Sequence, residues 1–120
     1  MQMLFEGSEE SPDQPGLGVL SGRVVLLPDT VKRPQMQWNP ITTSADTPLT
    51  RDLVGQWMYF VHSYAVLETN DTLATCEYGT EMVAVAGRDN ITATQFHPEK
   101  SGHDGLQFLR NFVAAITVPA

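Results

Sequence analysis

Three β-prone runs follow one another with almost nothing between them: "TLATCEY" (72–78), "EMVAVAG" (81–87) and "NITATQF" (90–96), joined at Gly79 and through "GRDN". Turns this tight leave no room for crossover helices, so they dictate an antiparallel section of sheet. Upstream, "QWMYFVHSY" (56–64) is aromatic and reads as a further strand, and "GRVVLLP" (22–28) as another that Pro28 stops. "MQWNPI" (36–41) predicts a short extended piece that Pro40 demotes to an edge or a bend. Residues 42–52 read as a polar surface loop, and "SPDQPGLG" (11–18) as a turn-rich connector.

Helical patterning is confined to the ends. "DGLQFLRNFVAAIT" (104–117) places Leu106, Leu109, Val113 and Ile116 on one apolar stripe, and Asp104 and Gln107 have capping-box spacing. "MQMLFEGSEE" (1–10) reads as the tail of an amphipathic helix that lacks an N-cap and a polar run-in. A pattern that is apolar from Met1 onward predicts an upstream part. Strands flanked by helices give an α/β or α+β expectation, with one face of the sheet left uncovered.

Composition narrows the function classes. At 120 residues and 42% apolar content the chain fits one domain with an ordinary core. A formal net charge of −7, with seven scattered basic residues, argues against a nucleic-acid partner, because phosphate binding requires clustered Lys and Arg. Cys76 is the one cysteine, which rules out an internal disulfide and points to a reducing compartment. The N-terminus has no basic n-region, and runs such as "VVLL" and "FVAAI" are too short to span a bilayer. These features predict a soluble, cytoplasmic protein that does not engage a membrane.

One stretch carries chemistry. "ATQFHPEKSG" (93–102) sets His97 two residues before Glu99, with Pro98 between them. Residues i and i+2 of an extended chain face one side, and Pro98 biases His97 toward that conformation. A carboxylate beside an imidazole orients the ring and stabilises its protonated form, which is the base-plus-orienter part of a nucleophilic triad. By spacing alone, an ordinary His and Glu in a surface turn is the better fit, since such pairs are common. A metal centre has weaker support, since His103 is the only further candidate nearby. Cys76 is a poor nucleophile: it lies inside a strand-like run, and the charge of neighbouring Glu77 disfavours a thiolate. Within these residues the base has no nucleophile to serve.

"QFHPEKSG" resembles the closing signature of class I glutamine amidotransferases, in which a Cys-His-Glu triad hydrolyses glutamine to ammonia. The motifs "YFVHSY" (59–64), "LATCEYG" (73–79), "NITATQFHPEKSG" (90–102) and "GLQFLRNF" (105–112) resemble, in order and spacing, the glutaminase subunits of imidazole glycerol phosphate synthases. The resemblance implies the C-terminal part of a flavodoxin-like α/β domain, with mixed or antiparallel strands and a C-terminal helix. Residues 1–120 would be a partial domain. The family's nucleophile lies in a Gly-x-Cys-x-Gly-Met-Gln elbow, of which Met1 and Gln2 would be the last two residues, so the nucleophile is expected just upstream of Met1.

Carried over by position, the resemblance makes His97 the general base and Glu99 its orienter, with Gln2, Ser63 and Tyr64 holding glutamine. It implies no metal and no organic cofactor, and a cyclase subunit as partner. Residues 34–39, "PQMQWN", stand where the family usually has Pro-His-Met-Gly-Trp-Asn, on the side facing the cyclase. Met36 and Trp38 are therefore candidate partner contacts, although packing under a neighbouring loop would fit the sequence as well. His62 fits strand packing better than substrate contact. Ala93 replaces a usual glycine, and Cys76 falls where threonine is common. A non-catalytic binding module of the same fold would share these motifs; a sibling amidotransferase is a further alternative, although siblings usually differ right after His-Pro-Glu or at the His-Ser-Tyr strand.

Overall fold

The structure, a computed structural model, describes residues 1–43 and 47–117, the last two by backbone alone. Nine strands and one long helix are found among them: β1 (Gly7–Ser8), β2 (Arg23–Leu26), β3 (Gln35–Pro40), β4 (Thr42–Thr43), β5 (Trp57–His62), β6 (Tyr64–Val66), β7 (Thr72–Glu77), β8 (Glu81–Arg88), β9 (Ile91–Thr94) and α1 (Gly102–Thr117). They form a four-stranded antiparallel sheet β4-β7-β8-β9, a β3-β5 ribbon, and a three-stranded sheet in which β1 runs parallel to β2 and β6 antiparallel to it.

The antiparallel section forms as the tight turns dictate. Arg88 pairs with Ile91 across a two-residue turn whose first member, Asp89, adopts φ 54°. Glu77 pairs with Glu81 around Gly79 at φ 75°, and a side chain there would also strike Val31. β8 is the central strand. Met82 and Ala84 belong to one core cluster and Val83 and Ala86 to another, which is why "MVAVA" is apolar without alternation.

Four expectations are corrected. The first ten residues form a short 3-10 turn, Gln2–Leu4, followed by β1, and not a helix tail. Residues 42–52 are more than loop: β4 and a 3-10 turn, Pro48–Thr50, occupy the described part, while 44–46 lie outside the described residues. The reciprocal Thr47–Thr50 hydrogen bonds of a capping box hold that turn, and Thr50 and Leu53 are buried. The run 56–64 is interrupted at Ser63, whose carbonyl accepts from Leu27 N–H as the chain passes from β5 to β6.

The fourth correction concerns α1. Its buried face carries Gly105, Phe108 and Asn111, whereas Leu106, Leu109 and Val113 are exposed; the side chain of Ile116 lies outside the described residues. Close approach decides the face. A side chain at Gly105 would strike the Pro98 carbonyl, and the Asn111 amide donates to the carbonyls of Leu49 and Arg51. The Asp104–Gln107 capping box is absent as well: Asp104 accepts from Trp57 N–H at 3.1 Å and Gln107 donates to Asn111.

Phe60, Phe96 and Phe108 make successive edge-to-face contacts at 5.7 and 5.6 Å, tying β5 to α1 through the residue that precedes His97. The core thus anchors the backbone from which His97 projects.

Candidate active site

His97 stands just past β9, at the N-cap of a 3-10 turn, Pro98–Lys100. Its Nδ1 lies 2.9 Å from Glu99 Oε1. The two side chains were expected to meet by strand alternation. The 3-10 turn brings them together instead, with Pro98 at its first position, where no N–H is needed. With Nδ1–H donating to the carboxylate, the lone pair sits on Nε2, the arrangement of a general base. Hydrogen bonding by Glu99's own backbone N–H, then by His97, holds its carboxyl below the ordinary value of 4.5.

The turn is fastened to the edge of β5 away from β3. His97 N–H donates to the Tyr59 carbonyl at 3.1 Å, and Tyr59 N–H donates to Ser101 Oγ at 2.9 Å. Ser101 Oγ–H in turn donates to the His97 carbonyl at 2.6 Å. Ser101 is 1% exposed, so these bonds form away from water.

Of the residues expected to hold substrate, two are brought together. Gln2 Nε2 donates to the Tyr64 carbonyl at 2.8 Å and to Gln95 Oε1 at 3.1 Å. Gln2 also lines, with Met1, Gln95, His97 and Glu99, a cleft of about 470 Å³. The start of the described chain therefore borders the candidate base. Ser63 is half-buried at the β5–β6 break, next to Tyr64 in sequence, and its carbonyl is committed to Leu27. Gln2 is shared with an adjoining cavity of about 370 Å³ to which Glu10 contributes a carboxylate. Gln95 and Ser101 are the residues that sequence reasoning passed over. Alternation places Gln95 on the His97 side of an extended chain, a usable signal; Ser101 gave none beyond its proximity.

Cys76 is a core residue. It is buried on β7 opposite Met82, and desolvation pushes its thiol up to about 12. Among the described residues no three His, Cys, Asp or Glu side chains are grouped to hold a metal ion. No described helix is long and apolar enough to cross a membrane.

Met36 and Trp38 lie on β3, which forms over the stretch expected to be extended. β3 pairs with β5 so that Met36 stands opposite Val61, Trp38 opposite Tyr59 and Pro40 opposite Trp57. Met36, Trp38 and Trp57 are 62%, 45% and 52% exposed, and Trp38 meets the Tyr59 ring edge-on at 5.8 Å. Behind them Gln35 and His62 are buried and paired.

Comparison with known proteins adds a family. The model for class I glutamine amidotransferases matches residues 14–116. The chain is 46% identical over 117 residues to the imidazole glycerol phosphate synthase subunit HisH of Methanothermobacter thermautotrophicus, covering 97% of this chain and 59% of that protein. The subunit of the same name from Methanosarcina mazei is 48% identical over 93% of this chain and 58% of its own length. That from Geobacillus thermodenitrificans is 43% identical over 98% of this chain and 59% of its own. The chain thus spans somewhat more than half the length of these relatives. With a family match that runs from the connector after β1 into α1 and takes in the His97–Glu99 turn, the chain belongs to the class I glutamine amidotransferases.

Proposed function

We propose that these residues form the base-bearing part of a glutaminase that releases ammonia for a partner cyclase. The observation that carries this reading is the His97–Glu99 hydrogen bond opening onto a cleft that Met1, Gln2 and Gln95 also line. Cys76, the one cysteine of the sequence, is buried and held as a thiol, so the attacking thiolate comes from outside these 120 residues.

In the proposed reaction the thiolate adds to the side-chain carbonyl carbon of glutamine. As the C–N bond breaks, protonated His97 gives its Nε2 proton to the leaving nitrogen, which departs as ammonia and leaves a thioester. His97 then takes a proton from water, the resulting hydroxide attacks the thioester, and cleavage of the C–S bond returns the thiolate with glutamate. Glu99 keeps Nδ1 protonated throughout. Gln2 and Tyr64 hold the amino-acid end of the substrate, and the Glu10 carboxylate complements its ammonium.

The names of the relatives, subunits of imidazole glycerol phosphate synthase, support a synthase as the destination of the ammonia. The outward β3–β5 face offers a surface for the cyclase. The test is glutamate release by a chain extended at its N-terminus with the family's nucleophile motif, with and without His97→Asn. Turnover that His97→Asn abolishes is expected; turnover that survives the substitution rejects the assignment.

A further inference from the structure

His62 closes β5, is almost fully buried, and makes a hydrogen bond with each ring nitrogen. Nδ1 lies 2.8 Å from the Tyr64 carbonyl, which can only accept, so Nδ1 carries a proton. Nε2 lies 2.7 Å from the amide of Gln35, its register partner across the ribbon. Burial favours the neutral ring and lowers its pKa, which leaves a bare lone pair on Nε2. An amide oxygen at that distance would repel it, and the Gln35 amine would then be buried with no partner. A half-turn of the amide removes the repulsion, because its N–H then donates to Nε2, and places the amide oxygen in the unpartnered position in place of the amine. The result is a directed chain from Gln35 N–H to His62, and from His62 Nδ1–H to the Tyr64 carbonyl.

That carbonyl also accepts from Gln2 Nε2, whose second N–H goes to Gln95 Oε1. Both donors of Gln2 are thereby used, and the oxygen of its amide is the group left to face the cleft. We propose that His62, clamped by Gln35, is a positioning residue for substrate: it fixes the Tyr64 carbonyl from which the Gln2 amide hangs, and so presents Gln2 Oε1 as an acceptor for the ammonium of an amino acid. This rests on the glutaminase reading above and assigns a role to a buried pair that the reaction itself does not use.

Two substitutions separate positioning from packing. In His62→Asn the side-chain amine can occupy the place of Nδ1 and still donate to Tyr64, while the Gln35 contact is lost. In His62→Gln the longer amide reaches Gln35 and fills more of the volume, while the donor to Tyr64 is lost. In the N-terminally extended chain, His62→Asn is expected to keep KM for glutamine within about threefold of the parent. His62→Gln is expected to raise it tenfold or more with kcat little changed, since His97 is untouched. Equal KM values, or the reverse order following the melting temperatures, overturn the proposal. Nitrogen NMR of the parent provides a readout that needs no folded variant: the Nδ1–H tautomer is expected at neutral pH, and the Nε2–H tautomer or an imidazolium overturns the clamp. A parent that does not turn over glutamine rejects the glutaminase reading and the substrate half of the proposal together, and the NMR result then decides the clamp alone.

Discussion

The backbone N–H of His97 donates to the carbonyl of Tyr59 at 3.1 Å, so the candidate base is attached to the strand whose other edge pairs with β3. Tyr59 is also the residue on which Trp38 rests. The His97–Glu99 turn and the outward ribbon face therefore share one rigid support, and displacement of β5 would carry His97 with it.

Ser101 secures that attachment, bridging Tyr59 N–H and the His97 carbonyl while almost fully buried. Ser101→Ala strands a buried donor and removes two hydrogen bonds, at a cost of about 1–3 kcal/mol. Chemical denaturation should read this loss. In the extended enzyme kcat should fall more than KM rises, because the base moves while Gln2 and Tyr64 stay in place. An unchanged kcat beside a lowered stability would make Ser101 purely structural.

Glu99→Gln separates orientation from proton transfer. The neutral amide can still accept from Nδ1–H, so activity should fall clearly less than in His97→Asn, where both acylation and hydrolysis lose their proton carrier. The sign with pH follows from the carboxyl being held below 4.5 in the folded protein. Its stabilising contribution is full above that value and disappears as pH falls through the lowered folded pKa. A melting-temperature gap between parent and Glu99→Gln should accordingly be present at neutral pH and vanish in strong acid. The contribution is small, since Glu99 is largely exposed. A gap that widened in acid would contradict the assignment.

Cys76 should stay unreactive toward thiol reagents at pH 8 in the folded chain, because a thiol held at about 12 has on the order of one part in 10⁴ as thiolate there. Labelling should require denaturant. The 120 residues alone should release no glutamate, since loss of a triad nucleophile costs on the order of 10⁶ in kcat. Glutamate release that Cys76→Ser abolishes would overturn the structural reading of this cysteine.

How much of this was legible follows from where each signal arises. The β7-β8-β9 meander and the His97–Glu99 pair are local, written in turns and spacings of a few residues, and the sequence shows them. The face of α1 is not local. Leu106, Leu109 and Val113 satisfy the helical period, yet the tight fit of Gly105 and the long-range bonds of Asn111 decide which side turns inward. β3 was legible only as a short extended piece; its pairing was not, because its partner strand lies some twenty residues downstream. The Gln2–Gln95 contact joins residues 93 positions apart, and no spacing rule reaches that far.

The ribbon face gives the last prediction. Trp38 is 45% exposed and packs edge-on against Tyr59, with the outer edge of its ring near Gly102. Met36 and Trp57 extend the same outward surface. An aromatic fixed on a strand with its far side open can fill a partner's pocket at low entropic cost, and truncation of such an anchor typically costs 2 kcal/mol or more. Its one ring pairing within the chain contributes about 0.5–1.5 kcal/mol beyond area burial. In the extended chain Trp38→Ala should therefore weaken cyclase binding at least tenfold (about 1.4 kcal/mol) while lowering the melting temperature only slightly. Trp38 lies on this outward face and Gln35 is buried behind it, so the substitution leaves the Gln35–His62 pair in place. Titration calorimetry beside a melting curve decides it: unchanged affinity with a large loss of stability would make Trp38 a packing residue of the β3-β5 ribbon.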